Sequence, residues 1–129
     1  MSQQYETPLM TFTASGAIKQ FQRVVIGAGR TVSVAGLTEV GDGVATRDAA
    51  DGELVTIRHF SAGGSFQFIA SEAFDSGSLL YTESDGEVQD TAQATSLPFA
   101  KAVDAATADG DIVECVLLAY RGAAAGGGG

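Results

Sequence analysis

The run Val24-Val25-Ile26-Gly27-Ala28-Gly29 imitates the strand and glycine turn that cradle a dinucleotide pyrophosphate. That chemistry needs a helix next, with its N-terminal N–H groups facing the phosphates, and a third small residue that lets the helix pack. Val32 stands at the third glycine position, and Arg30-Thr31-Val32-Ser33-Val34-Ala35-Gly36 is β-branched and closed by glycine. The segment therefore predicts a hairpin and no nucleotide site. His59 is the single histidine, which excludes metal sites and triads built on two or more imidazoles. At the end of an apolar strand, on the side of Val55 and Ile57, it reads as a rim residue rather than a general base. Cys115 is also alone, so it forms no internal disulfide and is expected at a core position as a small hydrophobe. The acidic pairs Asp48/Asp51 and Asp109/Asp111 lack the spacing of a calcium loop and read as turn chemistry. No catalytic residue, cofactor or metal is expected.

These residues must be positioned by short strands. Glycine is abundant, at 17 of 129 residues, and Val, Ile, Thr and Phe recur in short runs, whereas good helix formers are sparse. The length fits one domain able to bury its own core. A formal net charge of −9 argues against a nucleic-acid partner, which would need clustered Lys and Arg. The charge is uneven: residues 1–38 hold Lys19, Arg23 and Arg30 against Glu6 alone, so the acidity belongs to the rest of the chain. No apolar run approaches the ~20 residues of a membrane helix, and the N-terminus lacks the pattern of a signal peptide. No membrane partner is expected, and synthesis and use in a cytosol-like setting are.

An internal duplication organises the chain. Val24-Val25-Ile26 aligns with Leu79-Leu80-Tyr81, Val32 with Val88, Ala45 with Ala102, and Asp51-Gly52-Glu53-Leu54-Val55 with Asp109-Gly110-Asp111-Ile112-Val113. The spacing drifts only by single residues, as loop insertions allow. Each copy reads as a strand, a tight glycine turn, a returning strand, an Ala/Asp-rich crossing and a final strand launched by Asp-Gly-acid. In the final strands Val55 and Ile57, and Val113, Cys115 and Leu117, alternate with polar residues, the pattern of a half-buried antiparallel strand. The expected fold is all-β: a small barrel or sandwich of two duplicated halves with little helix. The expected divisions are an extended arm (1–17), a body (18–121, with copy one 18–60, a connector strand 61–72 and copy two 73–121) and a flexible Gly/Ala tail (122–129).

The arm mixes Tyr5, Pro8, Leu9, Met10 and Phe12 with uncharged polar residues, and Pro8 biases it toward an extended form. Such a segment is expected to be disordered or to add to a neighbour's sheet edge. Phe66 and Phe68 share one side of the connector strand, as core or as an interface between subunits.

Ser76-Gly77-Ser78-Leu79-Leu80-Tyr81, Asp85-Gly86-Glu87-Val88, Ala100-Lys101-Ala102 and Asp109-Gly110-Asp111-Ile112-Val113-Glu114-Cys115-Val116-Leu117 together resemble the head decoration (capsid cement) proteins of tailed phages. The similarity covers residues 16–118 and lies in the order of short motifs. It departs at Leu97-Pro98-Phe99-Ala100, where the family usually has Ile-Gly-Val-Ala. The resemblance implies a non-enzymatic structural protein made in the host cytoplasm and located on the outer capsid surface of the virion. It implies a homotrimer at three-fold positions that binds the major capsid protein and stabilises the shell, with an N-terminal arm engaging coat or neighbour. The contact residues expected are Tyr5, Pro8, Leu9, Met10, Phe12, Phe66 and Phe68. The alternative is a ligand- or glycan-binding β-module on a virion surface, although the chain has no Trp and only three Tyr. A carrier domain would need a modifiable lysine at a hairpin tip, and Lys101 falls in an Ala-rich segment instead.

Overall fold

A computed structural model describes residues 9–118. Five strands come from the first half: β1 (Leu9–Ala14), β2 (Arg23–Gly27), β3 (Thr31–Val34), β4 (Gly43–Ala45) and β5 (Leu54–His59). Five come from the second: β6 (Ser65–Ile69), β7 (Leu79–Thr82), β8 (Val88–Gln89), β9 (Pro98–Ala102) and β10 (Ile112–Leu117). The helical turns among the described residues are the single 3-10 turns Phe60–Ala62 and Ser84–Gly86. The all-β expectation holds.

Strands β1-β3-β2-β4-β5 close into a barrel, and β6-β10-β9-β7-β8 form a second sheet with the same neighbours in the same sequence. Where β1 pairs with β3 in parallel, Ala14 opposite Val32, the second half keeps one parallel bridge, Ala70 to Val88. β8 is only two residues long, so the closing seam of the second barrel shrinks to that bridge. The two halves repeat each other bond by bond. Ser15 N–H donates to Val32 O at 2.8 Å and Ser71 N–H to Val88 O at 2.9 Å; Phe21 N–H donates to Ala45 O at 2.9 Å and Gly77 N–H to Ala102 O at 2.8 Å. Phe21 even shares the left-handed backbone of its counterpart glycine, at φ 73° against 83° for Gly77. Such a backbone is costly for a bulky residue, and the surrounding repeat holds it in place.

The duplication is larger than the sequence alignment suggested, and this corrects three expectations. Residues 9–14 are not an unattached arm: they are β1, paired along its length with β5 of the same chain. The strand expected to connect the copies is β6, the counterpart of β1, so the repeat runs from β1 to β5 and again from β6 to β10. Met10, Phe12 and Ala14 alternate inward against Leu9, Thr11 and Thr13, as Phe66, Phe68 and Ala70 do in the second copy. The alignment of β2 with β7 was also one residue out of step. Arg23 sits opposite Val44 and Leu79 opposite Lys101, which makes Val24 the counterpart of Leu80, and both are fully buried.

Phe12, Val24, Val32, Val55 and Ile57 fill barrel one. Barrel two is packed by Phe66, Phe68, Leu80, Phe99, Val113 and Cys115, and its cluster takes in Val44 and Phe60 from copy one. The rings of Phe60 and Phe66 meet edge-to-face at 5.3 Å, and those of Phe68 and Phe99 at 5.5 Å. Burying one such ring contributes about 2–3 kcal/mol. The sharing of Val44 and Phe60 makes the second core depend on the first barrel.

Candidate functional site

The expected contact residues divide into three groups. Tyr5 and Pro8, like the glycine tail, lie outside the described residues. Phe12, Phe66 and Phe68 are buried in the two barrel cores, so their rings hold the fold together and are not offered to a partner. Only Leu9 and Met10 remain at the surface. Leu9 begins β1 opposite Arg58, with its side chain outward. Met10 lines a shallow concavity of about 400 Å³ with Ile26, Gly41, Asp42, His59 and Ser61. Ile26 is exposed as well. The chain enters barrel one here, so residues 1–8 start from this end. The exposure of Ile26 was missed in the sequence, where it read as the inward end of a core strand; the Gly27 turn carries it past the barrel rim.

A second feature, also unforeseen, is the seam between the barrels. Arg23 points away from its own barrel core into the junction and is fully buried. Its Nε donates to Glu87 O at 3.1 Å, Nη1 to Val40 O at 3.1 Å and to Glu39 O, and Nη2 to Glu83 O at 2.5 Å and Gly36 O at 3.4 Å. One planar cation thus ties two loops of opposite copies through backbone carbonyls alone, with its guanidinium 5.6 Å from the Phe99 ring centroid. Burial lowers its pKa to about 10, with Glu39 and Glu83 opposing the shift, so it stays charged at neutral pH. Gln22 Nε2 reaches Asp85 O at 2.9 Å, Thr82 Oγ1 reaches Leu37 O at 2.5 Å, and Gly86 N–H reaches Ala35 O at 2.9 Å. Gly86 has to be glycine: a Cβ would lie 2.9 Å from both the N and the O of Arg23.

The chemistry weighed in the sequence resolves into structure. The strand β3 follows Gly27-Ala28-Gly29, where a nucleotide site needs a helix. His59 Nδ1 is hydrogen-bonded to Ser61 Oγ two residues along the same turn, and Asp42 Oδ2 is taken by the Ile26 N–H at 2.8 Å. Cys115 is buried, and burial pushes its thiol up to about 12, far from a reactive thiolate. Asp48 and Asp51 accept the N–H groups of Gln20 and Gly16 at 2.8 Å, and Asp111 accepts from Thr107 N and Oγ1 at 2.7 Å. These carboxylates cap turns.

A family model described as phage cement protein matches residues 2–117. The chain belongs to the phage cement protein family. Its class of role is structural, at the phage capsid, and its location is the virion. Among solved structures, the N base of head fiber gp8.5 of bacteriophage phi29 shares the fold with a TM-score of 0.73 at 24% identity, over 85% of this chain and 92% of that one. No curated protein matches the chain. Within this cement-family body the phenylalanine rings that a sugar-binding surface could use are spent on the cores.

The acidic turn beside the seam carries a pH dependence. The Glu87 carboxyl is pushed above the usual carboxylate range by burial, then by repulsion from Asp109, Asp85 and Glu83. A raised folded-state pKa means that the charged form weakens the fold at neutral pH, and that this cost vanishes as pH falls below the unfolded value of about 4.3. Glu87→Gln is expected to raise Tm at about pH 7, with the two proteins converging near about pH 4. Thermal melts across that range check it; a gain undiminished at acid pH would refute the electrostatic origin.

Proposed function

We propose that this protein cements the outer surface of a phage head: it binds the major capsid protein as a homotrimer at three-fold positions and stabilises the shell. The observation that carries the reading is the match to the cement family along nearly the whole chain. A ligand that binds only the assembled state stabilises it by mass action, by about 2.7 kcal/mol per site at a hundredfold excess over Kd. Many copies on one shell multiply that term. Contact with the coat is made by residues 1–8, Tyr5 and Pro8 among them, together with Leu9, Met10 and Ile26 at the entry end of barrel one. The apolar, nearly uncharged character of that segment suits addition to a coat surface, while the acidic body keeps the decorated particle soluble. The protein reaches the particle after synthesis in the host cytoplasm.

Electron microscopy of heads prepared with and without the protein tests this directly. Extra density is expected on the outside of the shell at three-fold or quasi-three-fold positions, and decorated heads are expected to survive a higher temperature before releasing DNA. Heads that show no added density at saturating protein would overturn the reading.

A further inference from the structure

Because the two barrels share one fold, the surface that barrel one uses to hold barrel two has a counterpart on barrel two. On barrel one it is the outer row Arg23–Val44–Arg58, aligned across β2, β4 and β5. Copy two covers this row: Arg23 is 0% and Val44 5% exposed, and Arg58 donates from Nη1 to the Ser65 carbonyl and stands 3.9 Å from the Phe66 ring centroid. The counterpart row on barrel two is Leu79–Lys101–Val116, aligned across β7, β9 and β10. No other part of the described chain covers it. Leu79 is 42% exposed, Val116 40%, and Val103 beside them 46%. Two arginines in the covered row have become leucine and valine in the open one, the reverse of what a surface left in water would carry.

The covering pieces have counterparts too. Copy two presents to the first row the start of β6, at Ser65, and the turn 84–86. On copy one the equivalents are the start of β1, at Leu9, and the turn 28–30. The two turns share their backbone, with φ 71° and 60° at Gly29 and Arg30 against 58° and 67° at Asp85 and Gly86. The polar contact of Arg58 with Ser65 inside the chain therefore corresponds to an apolar pair, Val116 with Leu9, which is 44% exposed. Charge agrees: Asp104 and Glu114 flank the open face, and the incoming turn carries Arg30.

We propose that the Leu79–Lys101–Val116 face of one chain docks on the Leu9 end of β1 and the 28–30 turn of a second copy of this chain. The contact between chains repeats the contact that joins the barrels within a chain. It is head-to-tail, so successive copies close into a ring or, failing closure, grow into a filament. It deepens the self-association in the proposed function and rests on that part of the reading, but it needs no head to be tested.

Light scattering and sedimentation of the full chain, at micromolar concentration, give the test. The wild type is expected to form a defined oligomer. Val116→Glu and Leu79→Glu are each expected to weaken association by about tenfold or more, and the double variant is expected to be monomeric with unchanged circular dichroism. Leu54→Glu, at an outer position of β5 away from both faces, should leave assembly intact. Leu9→Lys combined with Val116→Glu should recover most of the lost association, because the new charges face each other across the interface. If the glutamate variants fail to fold, Val116→Gln and Leu79→Gln read the same loss with no added charge. A monomeric wild type, an oligomer indifferent to both faces, or equal damage from Leu54→Glu would overturn the proposal. Head binding is scored separately. An oligomer lost by these substitutions in a protein that never decorates heads would sink the cement reading and keep the interface.

Discussion

Replacing Arg23 with methionine is expected to destabilise the protein by about 3–5 kcal/mol, among the largest effects available to one substitution. Methionine nearly matches the aliphatic stem, so packing changes little. What is lost is the donor fork. Five carbonyl oxygens, of Gly36, Glu39, Val40, Glu83 and Glu87, converge on the guanidinium in a junction from which water is excluded. A buried ion pair can often be replaced by apolar groups at no cost when both partners go. Here the partners are backbone and cannot be removed, so each unpaired carbonyl bears a desolvation penalty of about 1–3 kcal/mol, partly relieved by relaxation. Arg23→Lys keeps the charge but supplies a point donor in place of a fork, and an intermediate loss of about 1–2 kcal/mol is expected. Urea unfolding followed by circular dichroism measures both. Should Arg23→Lys match wild type, the fork geometry is not what holds the seam. Gly86→Ala presses on the same junction from the other side, through contacts to backbone that cannot swing away.

The parts legible in the sequence were those governed by local pattern. The Asp-Gly-acid launch of β5 and β10 gave their start, and period-two alternation gave their inward faces, Val55 and Ile57 in one and Val113 and Cys115 in the other. The hairpin after Ile26 followed from glycine and β-branched residues. The equivalence of β1 and β6 was harder to see, although Met10-Thr11-Phe12-Thr13-Ala14 and Phe66-Gln67-Phe68-Ile69-Ala70 share their spacing. Pro8 and the lack of charge made the first look like an arm, and the second lay between the matched segments and passed for a connector. Arg23 was not legible at all. In sequence it is one basic residue before an apolar run, and its burial depends on carbonyls 13 to 64 positions away. The contact site was half legible for a related reason: the apolar residues were found, but which were core and which were surface depended on where the barrel closed.

That closure decides the outcome of truncation. Deleting residues 2–8 is expected to leave a folded body, with circular dichroism and Tm close to wild type, that no longer binds heads. Deleting residues 2–15 is expected to do far more, because it removes a barrel strand. β5 would lose its partner from Leu54 to Arg58, and β3 would lose the parallel pairing of Thr31 and Val32. Phe12 and Ala14 would leave the first core, and losing the Phe12 ring alone costs about 3–5 kcal/mol in a packed site. A small domain has about 5–15 kcal/mol in total, so barrel one should unfold. Barrel two should follow at least in part, since Val44 and Phe60 belong to its core and Arg23 to its seam. Amide hydrogen exchange distinguishes the two deletions residue by residue, and co-sedimentation with heads reads function separately from folding. If the 2–15 deletion keeps protected amides in β5, then β1 is dispensable to the barrel. If the 2–8 deletion still decorates heads at full occupancy, the coat contact lies on the barrels and not in the segment that precedes them.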